Sequence, residues 1–410
     1  MSGRPGALPI VVDIFVSYTH IDRERVRPLV ELLEAEGWTV WWDRGIVPGE
    51  PWLPELEAEI AKARAMVVVW SPTSVKSQWV RHEAGRGLEQ RALVPVMFDV
   101  NAPPAEFAHL QAIDLSRWDG NRQITEIDAL ERRLASLAPP SRIDTVRPGY
   151  DPLFLGSKRP VKLPGVTGPV AVLRYLHFTV VMNPARRIAH YVAYNSDGEL
   201  LASVPRPRKD PWSADPLLPE SLQMNIALLR ESPYDRGQLM ARTAACWGEP
   251  QMASIANRQA FYWPNVAPQH QLLNRHIWLQ LEKWEQQQTS DKGRLTGFSG
   301  PVFSANDEPL SGDVKFEHGL VARDSFRVPL AYWKVCVARA ARGALAVAAF
   351  LVSQAEFMER TLPAPEGVSS APDPPLETDT AVAPFRVRLE YLERLAQLRF
   401  PEKLHAAVPL

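Results

Sequence analysis

The chain has 410 residues with a net charge of −1 and ordinary apolar content, enough for two or three domains, each with its own core. Near-neutral charge excludes global steering toward nucleic acid, so a polyanion site must come from local Arg and Lys clusters. The only two cysteines, Cys246 and Cys336, exclude a disulfide framework. Without a secretory leader they point to a reduced, cytoplasmic setting. The most apolar run, Gly343 to Val352, is too short to span a bilayer, and no membrane partner is expected.

After a leader (1–9), Ile10 to Tyr18 reads as a buried strand, and Asp22 to Glu36 as a helix with Val26, Leu29, Val30 and Leu33 on one face. Strand Trp38–Trp42, a loop from Asp43 to Trp52, and helix Leu53–Arg64 follow. Next come strand Ala65–Trp70, helix Ser77–Gln90, strand Leu93–Phe98, strand Ile113–Leu115 and a helix from Ile124 to Leu137. This alternation predicts an α/β domain with a parallel sheet, whose ligands sit beyond the carboxyl ends of the strands.

Residues 10–137 resemble a TIR domain of flavodoxin-like fold. Asp13-Ile14-Phe15-Val16-Ser17-Tyr18 matches its opening box, and Asp43-Arg44-Gly45-Ile46-Val47-Pro48-Gly49 its loop after the second strand. Trp79-Val80-Arg81-His82-Glu83 carries the Trp-x-x-x-Glu of prokaryotic members that cleave NAD⁺. The resemblance implies Glu83 as the catalytic carboxylate, with Phe15, Trp42 and Trp79 beside the NAD⁺ substrate. A carboxylate can stabilise the oxocarbenium-like state of nicotinamide–ribose cleavage. The competing readings are a charge on a solvated helix face and a TIR domain that only assembles. The resemblance also implies homo-oligomers, because a neighbour's 43–52 loop completes such sites.

The Pro-bearing stretch 138–148 reads as a linker. Beyond it, Leu173–Met182 and Arg187–Asn195 are strand-like, Asn195-Ser196-Asp197-Gly198 signals a turn, and Val328–Val337 (with Lys334) and Ala344–Val352 are further strands. The segment 362–384, rich in Pro, Ala, Glu and Asp, reads as a mobile loop. A closing helix is expected around Arg386–Glu393.

Tyr234-Asp235-Arg236-Gly237-Gln238, Asn265-Val266-Ala267-Pro268-Gln269, Asn274, Trp278 and Leu281-Glu282 suit a hard divalent ion and a phosphodiester. Over 149–410 the chain resembles the DNA/RNA non-specific endonucleases, the ββα-metal family that includes endonuclease G, an α+β fold with an antiparallel sheet. The family motif is Asp-Arg-Gly-His, and Gln238 fills its histidine position. The resemblance implies Asn274 as the direct ligand of Mg²⁺ (or Mn²⁺) and Glu282 as holder of water in its shell. It implies Asn265 as an orienting residue, and Arg236 with Arg206 or Arg208 as the phosphate clamp. A carboxamide cannot take a proton near pH 7, and losing a general base costs on the order of a hundred- to ten-thousand-fold in rate. Three explanations stay open: a disabling substitution, a domain that binds nucleic acid without turnover, or replacement by His276 or His270. His276, two residues beyond Asn274 on a helix, would face away from that ligand. Trp247, Tyr262 and Trp263 suit base stacking or packing, and Cys246 a small core position.

The pairing resembles a bacterial anti-phage effector, with DNA or RNA as substrate and a nucleotide signal or second defence protein as the cue. The alternative is a TIR NAD⁺ hydrolase acting through Glu83, joined to a catalytically dead nucleic-acid sensor.

Overall fold

The computed structural model describes residues 12–42, 60–120, 125–156, 160–206, 212–219, 222–224, 229, 232–310, 313–316, 319–322, 326–340, 343–362, 365 and 382–410. The leader, the 43–52 loop, most of the helix expected at Leu53–Arg64, and Arg208 lie outside them, as does 366–381 of the loop expected at 362–384. Two compact units divide between Val146 and Arg147.

In the first unit, β1 (Ile14–Ser17), α1 (Arg23–Ala35), β2 (Val40–Trp41), β3 (Ala65–Trp70), α2 (Gln78–Glu89), β4 (Leu93–Met97), β5 (Ile113–Asp114) and α3 (Thr125–Leu137) alternate. The strands form a parallel sheet of order β2-β1-β3-β4-β5, the doubly wound order expected of the fold. All six residues of β3 are buried, because a central parallel strand is covered on both faces and needs an unbroken apolar run. The α1 face carrying Val26, Leu29, Val30 and Leu33 packs into one side of the core. Ser77 caps α2, its hydroxyl accepting from Val80 N. The Pro-bearing segment after α3 packs onto this unit: Arg142 N donates to Gly37 O, Ser141 N to Asp13 Oδ2, and Trp38 Nε1 to Ala138 O.

The second unit is built on β6 (Ala171–Arg174), β7 (Phe178–Asn183), β8 (Ile188–Asp197), β9 (Tyr234–Gln238), α4 (Pro250–Gln259), β10 (Val266–His270), a π-helical turn (Leu273–Trp278), α5 (Leu279–Lys292), β11 (Arg294–Val302), β12 (Ala331–Arg339), β13 (Leu345–Ser353), α6 (Leu389–Ala396) and β14 (Val408–Pro409). Seven strands form one sheet, β14-β13-β12-β11-β8-β7-β6. All its pairs are antiparallel except β13 with β14.

Two sequence expectations change here. Leu173–Met182 is not one strand: the chain bends at Tyr175–His177, where His177 takes φ +72°, and β6 pairs back on β7. Asn195-Ser196-Asp197 is not a turn but the buried end of β8, paired with β11. Asn195 Oδ1 accepts from Asp151 N and its Nδ2 donates to Thr296 Oγ1, while Arg294 Nε donates to Asp197 Oδ2. Those partners make polar residues tolerable inside a strand.

Candidate active site

Two antiparallel strands, β9 and β10, separated in sequence by α4 and followed by a helix, organise the second unit's site. β9 pairs antiparallel with β10, setting Asp235 opposite Gln269, Gly237 opposite Ala267 and Gln238 opposite Val266. Gly237 is required by space, since a Cβ there would lie 2.2 Å from Gln269 Oε1. After β10 the chain turns into α5 through the π-helical turn that carries Asn274, a rare feature that recurs at functional sites. The 3.6-residue spacing assumed from Asn274 to His276 therefore does not hold across this turn. His276 is exposed, whereas His270 is packed between the Tyr234 and Phe357 rings.

Asn274 Nδ2 donates to Asp235 Oδ2 at 3.1 Å, which orients the amide and leaves Oδ1 as its acceptor. Arg275 holds the same carboxylate through Nε and Nη2, both at 2.8 Å. That pairing, helped by Asn274, keeps the Asp235 carboxyl below the usual range despite partial burial. Asp235 and Arg275 were given no role in the sequence reading, although both adjoin residues that were.

Gln238 Nε2 donates to Ala260 O at 3.0 Å, and Trp278 Nε1 donates to Gln238 O at 3.0 Å. Asn265 is fully buried. Its Oδ1 accepts from Met240 N, and its Nδ2 donates to Met240 O and Ala260 O. Asn265 thus ties the loop after β9 to the end of α4, and its amide is spent on backbone. Arg236 stacks its guanidinium 5.6 Å from the Trp212 ring centroid. Arg206 is exposed.

Glu282 and Glu285, one turn apart on α5, line a cavity of about 400 Å³ with Arg242, Thr243, Ser203 and Cys246. Desolvation pushes the Glu282 carboxyl up to about 7; Lys334 opposes the shift and Glu285 adds to it. Lys334 and Glu285 are both buried and bonded to each other, a pair the sequence signalled only as a lysine inside an apolar strand. The described residues hold no group of three or more His, Cys, Asp or Glu suited to a metal. Asn274 and Glu282 still fit Mg²⁺ by chemistry, both being hard oxygen donors and Mg²⁺ keeping several waters. The aromatics offered for stacking are used in packing: Trp247 stacks on His177 at 3.5 Å, and Tyr262 is buried beside Tyr175. Cys246 is buried, its thiol raised to about 11 by desolvation.

In the first unit Glu83 is 0 % exposed, so it is not a charge on a solvated face. Its Oε2 accepts from Ser17 Oγ at 2.6 Å and its Oε1 from Trp79 Nε1 at 2.5 Å. Phe15 is likewise buried in the core, stacked on Trp41 at 5.0 Å. Trp42 lies 6.0 Å from Tyr18, with the Arg23 guanidinium 5.8 Å from its ring.

An antiparallel strand pair running into a helix, with an amide and a carboxylate on the helical side, defines the ββα-metal class. Residues 159–407 match the DNA/RNA non-specific endonuclease family, and the chain belongs to that family. Residues 14–131 match the TIR domain. The chain is 34% identical over 220 residues to the uncharacterized protein y4fB of Sinorhizobium fredii, covering 51% of this chain and 30% of that protein. It is 28% identical over 171 residues to human mitochondrial endonuclease G, covering 42% of this chain and 49% of that one. It is 24% identical over 249 residues to the mitochondrial nuclease of Saccharomyces cerevisiae, covering 58% and 68%. The chain thus spans less than half the length of the first two of these relatives. Among the described residues no helix is long and apolar enough to cross a membrane.

Proposed function

We propose that the chain is a bacterial anti-phage effector in which TIR self-association controls a metal-dependent, sequence-nonspecific DNA/RNA endonuclease domain held inactive by Gln238. The observation that carries this reading is the Asn274 amide, fixed by Asp235 so that its oxygen is left as an acceptor. Asn274 Oδ1, with Glu282 behind water, would hold Mg²⁺ or Mn²⁺. The ion, when bound, supplies counter-charge to the phosphate and help for the leaving oxygen. Arg236, with Arg206 and Arg208, would bind phosphate oxygens. Binding of this kind is led by the backbone, tolerant of sequence and weakened by salt. Position 238 should take a proton from the attacking water, and the Gln238 amide, donating to Ala260 O, cannot. Plasmid and RNA cleavage by Gln238→His, lost again on adding Asn274→Ala, tests the reading.

A second reading is favoured by that same amide. The second domain would sense nucleic acid without cutting it, and turnover would belong to the TIR domain as an NAD⁺ hydrolase through Glu83, with Phe15, Trp42 and Trp79 near the substrate. Ser17 and Trp79 each donate to one Glu83 oxygen, which orients the carboxylate and leaves each oxygen further acceptor capacity; oligomerisation, triggered by a nucleotide signal or a second defence protein, would complete the site. Its test is nicotinamide release on induced association. Release unchanged in Glu83→Ala would remove that residue from the role.

A further inference from the structure

We infer that Lys334 is a positioning residue for the nuclease site, holding α5 and Trp278 in register so that Glu282 and position 238 keep their places; this rests on the nuclease reading above. Lys334 lies on β12, inside the sheet, and is 0 % exposed. Its Nζ donates to Glu285 Oε2 at 2.5 Å and to Tyr194 OH at 3.0 Å. The same ammonium stands 5.2 Å from the Trp278 ring centroid and 5.5 Å from that of Tyr194, within cation–π range. Trp278 in turn donates to Gln238 O. Glu285 is one helical turn from Glu282, and both line the cavity that Ala241, Arg242 and Thr243 also line. One buried cation therefore touches the two elements that place the candidate base position and the candidate metal carboxylate.

The surroundings are shaped to admit it. Gly297 on β11 leaves room for Tyr194, since a Cβ there would lie 2.2 Å from the ring. Burial works against the Lys334 charge, yet its acidic neighbours, Glu285 foremost, hold its pKa above the ordinary lysine value. A buried ion pair is a poor source of stability, because an apolar pair of similar volume is often as stable or more so. Burying this pair for stability alone would be a weak solution. The directed bonds from Lys334 Nζ to Glu285 and Tyr194 tie α5 to β12 and β8 beneath Glu282.

The test uses the full chain carrying Gln238→His as parent. Lys334→Met alone leaves Glu285 buried without its partner and is expected to lower stability. Lys334→Met with Glu285→Met removes both charges and should restore the melting temperature to near the parent value. In that double variant, Mn²⁺ affinity measured by electron paramagnetic resonance should still fall about 10- to 100-fold, as for other residues supporting a metal ligand. kcat on plasmid DNA should fall in parallel, with KM unchanged. A double variant that regains stability, Mn²⁺ affinity and kcat together would overturn the inference and leave Lys334 a structural residue. Tyr194→Phe guards against failure of the double variant to fold. It deletes one of the two hydrogen bonds on Nζ and should weaken Mn²⁺ binding about two- to tenfold, and unchanged affinity there also overturns the inference. A parent that neither binds Mn²⁺ nor cuts would instead sink the nuclease reading and this inference with it.

Discussion

On the nuclease reading, placing a histidine at position 238 should switch on cleavage, and the surroundings of that residue give the reason. Gln238 sits at the end of β9, in register with Val266, and its backbone oxygen is held by the Trp278 indole. Its side chain already reaches Ala260 O. An imidazole in its place can donate one ring N–H to that carbonyl, leaving the opposite nitrogen as an acceptor toward the site. With a pKa near the reference value of about 6.5, about three-quarters of such rings are neutral at pH 7. The expected gain in Mg²⁺-dependent cleavage is about 10²- to 10⁴-fold, equivalent to about 3–5 kcal/mol off the barrier. The assay is nicking of supercoiled plasmid and cleavage of RNA by the full chain, with Gln238→Asn as a control that should stay silent. A folded Gln238→His protein that binds Mn²⁺ but cuts no faster than the parent would refute the reasoning, because a missing base would then not be what limits the site.

Asn265→Ala should destabilise the second domain by about 2–4 kcal/mol, since it strips partners from Met240 N and O in a buried setting; urea unfolding measures it. Glu282, raised to about 7 by desolvation, must lose a proton before its carboxylate can help hold a cation. Mn²⁺ affinity should therefore climb from pH 6 to 8 and level off above, and a flat titration counts against Glu282 taking part. His405 is clasped between Glu390 and Glu393 of α6. Burial lowers its pKa, but the two carboxylates outweigh that and leave it raised. A raised histidine stabilises fully below its unfolded pKa and loses that contribution as pH rises through its folded value. Hydrogen exchange in the C-terminal segment, corrected for intrinsic rate, should be slower at pH 6 than at pH 8.5, and His405→Ala should erase the difference.

The first domain was legible because its signals are local. The unbroken apolar run Ala65–Trp70 can only be a strand covered on both faces, and the α1 stripe repeats at helical spacing. The second domain was legible where a contiguous apolar run carries the signal, as in the runs that form β12 and β13. It was misread where long-range partners decide. Asn195 and Asp197 carry turn-like chemistry, but Asp151, Thr296 and Arg294 satisfy them inside a strand. The bend at His177 leaves the apolar run around it intact, so β6 and β7 merge in any periodicity count. The π-helical turn at Leu273–Trp278 has no pattern of its own, and it alters the angular relation between Asn274 and His276 that helical spacing had predicted.

The candidate site divides the same way. The family resemblance named Asn274, Glu282 and position 238, but it could not say how each side chain is occupied. Asn265 and Gln238 both donate to Ala260 O, so one carbonyl supports the residue that braces the strand pair and the residue standing where a base belongs. The glutamine is thus not a gap in the structure: it satisfies the scaffold while lacking a group that can take a proton. On the nuclease reading such a site keeps its fold, the arginine proposed to bind phosphate and its oriented Asn274 oxygen, and lacks only the proton acceptor. Binding and cleavage are for that reason separable at position 238, which makes this residue, rather than Asn274 or Glu282, the place where the nuclease and sensor readings diverge.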